Sequence, residues 1–529
     1  MESFLPSCVI HEDEHLLVVN KPAGWNTHAP SPYAIEGIYD WLRQRESRWA
    51  KLAIIHRLDK ETSGVMVFGK TQLANQSLTT QFAGRTVWKK YLLFTDRKVS
   101  RDELTIKSTI ARDGERYASL PGGEAAETVF RIVAGNKDHT IMAAEPLTGR
   151  THQVRVHAAE NRFPIMGDKL YGGTPHQRVC LHSAELRFNH PATNEPMKFA
   201  APVDFEADAR AAIRAAMISQ GETDAYCVIH GAADGWPKWH VERLGEFVLS
   251  KSDEPLTESQ TKQLEIILSG GGQGAYHKLT TRQVQRTATS EKSPRLALGV
   301  AAPERFTIRE NGAVYELSFT EGYSVGLFLD QRDNRRRFLT GHVGANFPLF
   351  ADGAADKTVL NAFAYTCGYS VCAALAGAST TSLDLSKKYL DWGRRNFGLN
   401  NLDLATHDFI YGDTFDWLRR LAKKQREFDV VVLDPPTFSQ SKESGVFRAE
   451  KDFGRLVTTS LPLLRKGGVL LASTNAATLR PESFVEMVTD GINRAGRKVI
   501  QQLYVPQPPD FPISREEPAH LKTLWLRVG

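Results

Sequence analysis

Val359-Leu360-Asn361-Ala362-Phe363-Ala364-Tyr365-Thr366-Cys367-Gly368-Tyr369-Ser370 reads as a strand, a loop of small residues and the start of a helix. Such a loop lets a ligand approach the backbone at the C-terminal edge of a sheet. It holds one glycine, so on its own it fits a plain strand–helix turn equally well. The stretches around it change the odds. Buried-type strands at 359–363, 430–433 and 469–473 alternate with helical stretches at 387–397 and 415–424. This alternation predicts a parallel, doubly wound, Rossmann-like α/β domain over 321–529.

Two acids follow at useful places. Thr381-Ser382-Leu383-Asp384 ends a second strand about twenty residues on, where a carboxylate can bind two ribose hydroxyls. Phe409-Ile410-Tyr411-Gly412-Asp413 ends a candidate third strand and puts Asp413 near the place of an adenine amino group.

Upstream the pattern differs. Alternating β-type segments broken by Gly and Pro run from residue 8 to about 202 and predict a mixed, β-rich α+β domain over 1–205. An alanine-rich helix at 206–217 and a polar stretch to 224 read as a linker. A small α+β domain is expected over 225–320, with a glycine-rich loop at 269–274 and a hairpin at Asn311-Gly312. The two halves show no common repeat.

Composition narrows the function classes. The 529 residues suggest several domains, and 41% hydrophobic with 24% charged residues is ordinary for a packed chain. No apolar run approaches the roughly 20 residues of a membrane span. The opening Met1-Glu2-Ser3-Phe4 lacks the basic and apolar parts of a secretory signal. Five scattered cysteines imply a reducing, cytoplasmic compartment and no structural metal. A net charge of +5 permits nucleic-acid binding without requiring it. Basic clusters at 85–90, 332–337 and 419–426 are mostly expected to be solvated faces.

In the N-terminal half, Ile54-Ile55-His56-Arg57-Leu58-Asp59-Lys60-Glu61-Thr62-Ser63-Gly64 puts an acid in a loop after an apolar strand. Alone, that acid is most often a turn former. Lys89-Lys90-Tyr91-Leu92 and Leu147-Thr148-Gly149-Arg150-Thr151-His152-Gln153-Val154-Arg155-Val156-His157 accompany it, with Phe163-Pro164-Ile165-Met166-Gly167-Asp168 and Tyr171-Gly172. In these boxes residues 8–204 resemble the RluA family of pseudouridine synthases, without that family's frequent N-terminal RNA-binding domain.

The resemblance implies isomerisation of uridine in RNA without a cofactor. Asp59 is then the carboxylate that serves as nucleophile or sugar-proton base. Arg155 pairs with it, Tyr91 stacks on the target base, and Arg57 fills the place the flipped base leaves. Arg150 is a further candidate RNA contact. His152, His157 and His182 are expected only to satisfy buried hydrogen bonds.

In the C-terminal half, Val431-Val432-Leu433-Asp434-Pro435-Pro436-Thr437-Phe438-Ser439 sets an acid on a rigid turn at a strand end. With Gly326-Leu327-Phe328-Leu329-Asp330-Gln331-Arg332-Asp333-Asn334-Arg335 it makes residues 226–529 resemble class I methyltransferases of the RlmI/RlmK type, which modify large-subunit ribosomal RNA. The resemblance implies S-adenosylmethionine as cofactor. Its expected contacts are Asn361, Phe363, Tyr365, Gly368, Asp384, Asp413 and Asp434, with Gln331 and Arg332 at the methionine end. Asp434 would also lie beside the flipped base, and Asn475 on the RNA side.

Methylation at cytosine carbon-5 needs a cysteine nucleophile. The stretch where that branch carries it, Leu471-Ala472-Ser473-Thr474-Asn475-Ala476-Ala477, has none. Guanine N7, which already carries a lone pair, is favoured. The expected whole is a bifunctional enzyme of ribosomal RNA, with no DNA or membrane partner. One half acting on transfer RNA, or one domain serving as an inactive RNA-binding module, are the alternatives.

Overall fold

A computed structural model describes residues 5–34, 36–99, 101–135, 139–280, 293–321, 324–441, 443 and 445–529. The opening Met1-Glu2-Ser3-Phe4 lies outside the described residues. The chain forms two compact units: Met1–Arg43 with Arg48–Ser219, and Gln44–Ser47 with Gln220–Gly529. Among the described residues no helix is long and apolar enough to cross a membrane, and no group of three or more His, Cys, Asp or Glu is placed to hold a metal ion.

The first unit is built on an eleven-stranded mixed sheet. At its centre Ser63–Gly69 runs parallel to Leu181–Asn189, which pairs in turn with Trp88–Thr95. Ser63–Gly69 is buried along its whole length, as a central strand covered on both faces must be. Gly64 sits at φ +120°, and a Cβ there would come within 2.3 Å of the Ser183 carbonyl oxygen. Glycine is therefore what lets the strand after the Asp59 loop close on its neighbour.

The segment expected as a linker is structured as far as the end of this unit. Asp208 caps helix Ala209–Met217 by accepting from Arg210 N and Ala211 N, and Met217 is buried in a core with Trp25, Leu42 and Trp49.

The second unit carries a seven-stranded sheet in the order Asp408–Tyr411, Ser379–Asp384, Thr358–Ala362, Phe428–Leu433, Leu464–Thr474, Lys522–Val528, Val499–Val505. The first five are parallel, and the last two are antiparallel to their neighbours. The expected parallel sheet is thus correct for its core and is closed by an antiparallel edge pair. Strand order reverses at Thr358–Ala362, so the loop after it opens at the switch point, where doubly wound folds bind ligands.

A five-stranded sheet and the hairpin Phe306–Glu310/Ala313–Leu317 precede this domain. Asn311 and Gly312 turn that hairpin at φ +51° and +80°, the left-handed pair of a tight two-residue turn. Residues of this region, such as Cys227, Phe247 and Tyr276, share one apolar core with the large sheet.

Candidate active sites

Asp59 stands where two cavities of the first unit meet, one of about 640 Å³ and one of about 760 Å³. Arg57, Thr151, His152 and Arg155 line both, while Tyr91, Lys89 and Arg150 line the larger. The Asp59 carboxylate is about a quarter exposed and lies 3.5 Å from Arg155 Nη1 and 3.8 Å from His152 Nε2.

Arg155 enters from helix Gln153–Glu160, whose face is buried. Its principal partner is Asp168, bound at two points, 2.7 and 2.8 Å. Burial alone would make the guanidinium easier to neutralise. The Asp168 pair overrides burial and holds its pKa above the ordinary value. Arg155 is thus a fixed cation that faces Asp59 without being consumed by it.

Tyr91 is partly buried on Trp88–Thr95. Burial and then the Asp59 charge raise its pKa, so it presents a neutral ring and hydroxyl. Arg57 is exposed at the rim. Arg150 lies on the cavity wall, with Nε donating to the Ala125 carbonyl and its guanidinium paired with Glu124.

Further residues surround this site. His157 bonds Thr128 and Ser108, and His182 bonds Ser63 and the Ala201 carbonyl, as expected of satisfied core histidines. His152 departs from that expectation: its Nδ1 bonds the Tyr171 hydroxyl at 2.8 Å and its other nitrogen faces Asp59. Asp168 and Tyr171 sat in boxes already visible in the sequence, but nothing there tied them to Arg155 and His152. Lys21 is fully buried and donates to the carbonyls of Pro22, Trp25 and Lys60, pinning the loop beside Asp59. Burial lowers its pKa to about 7.

In the second unit the loop after Thr358–Ala362 is strained. Phe363, Tyr365 and Cys367 have φ of +63°, +49° and +65°. Each such non-glycine residue costs roughly 1–2 kcal/mol, so the surroundings must hold them. Tyr365 N donates to Asp384 Oδ2 at 2.8 Å, Asn396 Nδ2 to the Thr366 carbonyl at 2.9 Å, and Thr366 Oγ1 to the Gly326 carbonyl at 2.5 Å. Asn361 is buried against Ser370, and Gly368 opens the next helix.

Asp384 ends Ser379–Asp384 and also accepts from Ser386 N at 2.8 Å. Burial raises its pKa, and the two backbone N–H groups act against that rise. Leu385 beside it is exposed. An acid next to uncovered apolar surface, at a loop held open to the switch point, fits an adenosine group. Asp413 caps helix Thr414–Lys423 and accepts from Ser441 Oγ at 2.6 Å.

Asp434 ends the central strand. Burial, then the neighbouring Asp330 carboxylate, raises its pKa to about 7. Gln331 Nε2 donates to it at 3.1 Å. Arg332 is buried and both its terminal nitrogens hold Asp510, at 2.9 and 2.6 Å, a pairing that offsets the cost of burying the guanidinium. The other arginines of the 332–337 cluster are likewise buried, so this cluster is internal and not a solvated face. Asn475 is exposed just past Leu464–Thr474. Cys367 and Cys372 are fully buried, and burial raises both thiols to about 12.

Residues 15–160 match the family model described as RNA pseudouridylate synthase, and residues 281–527 match that described as S-adenosylmethionine-dependent methyltransferase. The chain is 31% identical over 381 residues to a ribosomal RNA large subunit methyltransferase of Deinococcus radiodurans, covering 70% of this chain and 88% of that one. It is 36% identical over 214 residues to ribosomal large subunit pseudouridine synthase C of Yersinia pestis, covering 38% of this chain and 67% of that one. It is 31% identical over 326 residues to ribosomal RNA large subunit methyltransferase I of Klebsiella pneumoniae, covering 60% of this chain and 76% of that one.

Proposed function

Because the chain belongs to the RNA pseudouridylate synthases in its N-terminal part and to the S-adenosylmethionine-dependent methyltransferases of the RlmI/RlmK type in its C-terminal part, we propose that it is a bifunctional enzyme of 23S ribosomal RNA that isomerises a uridine and methylates a guanine at N7. The observation that carries this reading is one poised carboxylate in each unit: Asp59 facing the Arg155 cation, and Asp434 facing the Gln331 amide.

In the first unit the target uridine leaves its stack and enters the Tyr91 cavity, and Arg57 takes its place in the RNA. Asp59 acts on the ribose as the N–C bond breaks. Arg155 sets a fixed positive charge beside the carboxylate once the bound RNA has excluded water. Tyr91 holds the freed base by stacking while it turns to rejoin the sugar through C5. His152, neutral because burial depresses its pKa, adds a hydrogen-bonding edge near Asp59.

In the second unit Asp384, the loop backbone at 363–368 and Leu385 hold S-adenosylmethionine, which when bound supplies an electrophilic methyl group. Asp434 receives the N–H groups on the Watson–Crick edge of a flipped guanine and so aims N7. N7 carries a lone pair, so positioning is the whole of the demand on these side chains. Asn475 and the exposed Phe438 stand on the RNA side of this site.

Removing Asp384 tests donor binding. Asp384→Ala weakens S-adenosylmethionine binding by roughly 1–3 kcal/mol, the scale of a lost charged hydrogen bond. Titration calorimetry on the full chain reads this directly. A wild-type chain that takes up no S-adenosylmethionine contradicts the proposal for the second unit.

A further inference from the structure

Asp434 lies at the end of a hydrogen-bonded chain whose direction is set by one residue far from it in sequence. That residue is Trp525, on Lys522–Val528. An indole N–H donates and cannot accept. Trp525 Nε1 donates to Asn334 Oδ1 at 3.0 Å. Asn334 must therefore present its amide nitrogen to its other neighbours. The two hydrogens of Nδ2 go to Gln331 Oε1 at 2.7 Å and Thr523 Oγ1 at 3.2 Å. Gln331 Oε1 also accepts from the Tyr369 hydroxyl at 2.7 Å.

With its oxygen so occupied, Gln331 turns its nitrogen the other way. Nε2 donates to Ser473 Oγ at 2.7 Å and to Asp434 Oδ2 at 3.1 Å. Gln331, Asn334, Ser473, Thr523 and Trp525 are all buried. Neither amide can flip without setting buried donor against donor, which costs roughly 1–3 kcal/mol for each group left unpaired.

We infer that Trp525 and Asn334 are positioning residues for methyl transfer: by fixing Gln331 as a donor they hold Asp434 as an acceptor, ready as a carboxylate for the target base. This rests on the reading of Asp434 given above and adds the groups that set its state.

Asp330, on the turn before helix Arg332–Thr340, opposes ionisation of Asp434, and is itself kept ionised by His520 Nε2 at 3.1 Å. Arg335, on that helix, favours ionisation, though its guanidinium is paired with Glu310. Tyr369 is neutral, its pKa raised by burial and then by Asp434 itself. Burial and Asp330 raise Asp434 while the hydrogen bonds from Ser473 and Gln331 lower it, and the balance lies at about 7, so loss of a donor changes which form prevails near neutral pH.

The experiment is a titration of aspartate carboxyl carbons by 13C NMR in the full chain without added donor. The Asp434 resonance is identified by its loss in Asp434→Asn. Its midpoint should lie near 7 in the wild type. In Trp525→Phe, Asn334 is free to turn, the donor from Gln331 is no longer fixed, and the midpoint rises by about one pH unit, the equivalent of one hydrogen bond. The acid limb of the methyl-transfer rate should move up with it, while KM for S-adenosylmethionine stays within about threefold.

A substitution that only loosened packing would lower the rate without moving the midpoint. Should Trp525→Phe not fold, Asn334→Leu removes the same polarity and has the same expected result. A midpoint unmoved by these changes would overturn the inference. A chain that titrates as described yet transfers no methyl group would overturn the reading of Asp434, and the positioning role with it.

Discussion

Asp59→Asn lowers pseudouridine formation by about a thousandfold or more, roughly 4 kcal/mol of barrier, and leaves methyl transfer at its wild-type rate. The amide keeps the size of the side chain but can neither attack nor deprotonate the sugar. The fold should tolerate the change. Arg155 has its two-point pair with Asp168, and Asp59 is a 3.5 Å neighbour rather than the group that neutralises it. No buried cation is stranded, so the usual cost of breaking an ion pair does not arise. Release of tritium from RNA carrying 5-tritiated uridine measures the reaction, because C5 gives up its hydrogen when it joins the sugar. Turnover by Asp59→Asn within tenfold of wild type would remove Asp59 from the chemistry.

Asp434→Ala lowers methyl transfer by about a hundredfold or more, roughly 2.7 kcal/mol, with S-adenosylmethionine still bound. The substitution removes the group proposed to orient the base and leaves Gln331 Nε2 without one of its two acceptors. Replacing Cys367 and Cys372 together by alanine, by contrast, leaves the rate within about tenfold. Both thiols are fully buried and pushed up to about 12, so neither supplies a thiolate near neutral pH. Cys367 instead fills the space left by Gly393, where a Cβ would come within 2.3 Å of its sulfur. Under the proposal the labelled product is a methylated purine, 7-methylguanine. Recovery of 5-methylcytosine, or an RNA adduct held by either cysteine, would contradict it.

The pH dependence of methyl transfer has a definite sign. Under the proposal Asp434 acts as a carboxylate, and its pKa is raised to about 7. Its activity is therefore full above that value and falls as the pH drops through it.

The sequence carried the local half of both sites. Strand, loop and acid follow one another at Val359–Gly368 and at Asp384, and their order along the chain is enough to place them at one sheet edge. The HRLD and TGRTHQ boxes did the same for Asp59 and Arg155. What sequence order could not carry is contact between distant segments. Asp168 is thirteen residues from Arg155, and its claim on the guanidinium depends on how the chain turns after helix Gln153–Glu160. Arg332 is 178 residues from Asp510, so their pairing was invisible until the fold brought the two together. The Trp525–Asn334 bond spans 191 residues. The antiparallel edge pair escaped for a related reason: a buried strand shows the same apolar run whichever way its neighbour points.

One measurement bears most directly on the claim that two RNA modifications reside in one chain. Unmodified large-subunit ribosomal RNA is incubated with the purified chain and isotopically labelled S-adenosylmethionine, digested to nucleosides and analysed by mass spectrometry. New pseudouridine and one labelled methylguanine are expected, with Asp59→Asn removing the first alone and Asp434→Ala the second alone. Ribosomal RNA returned with neither modification, while transfer RNA treated in the same way acquires them, would contradict it.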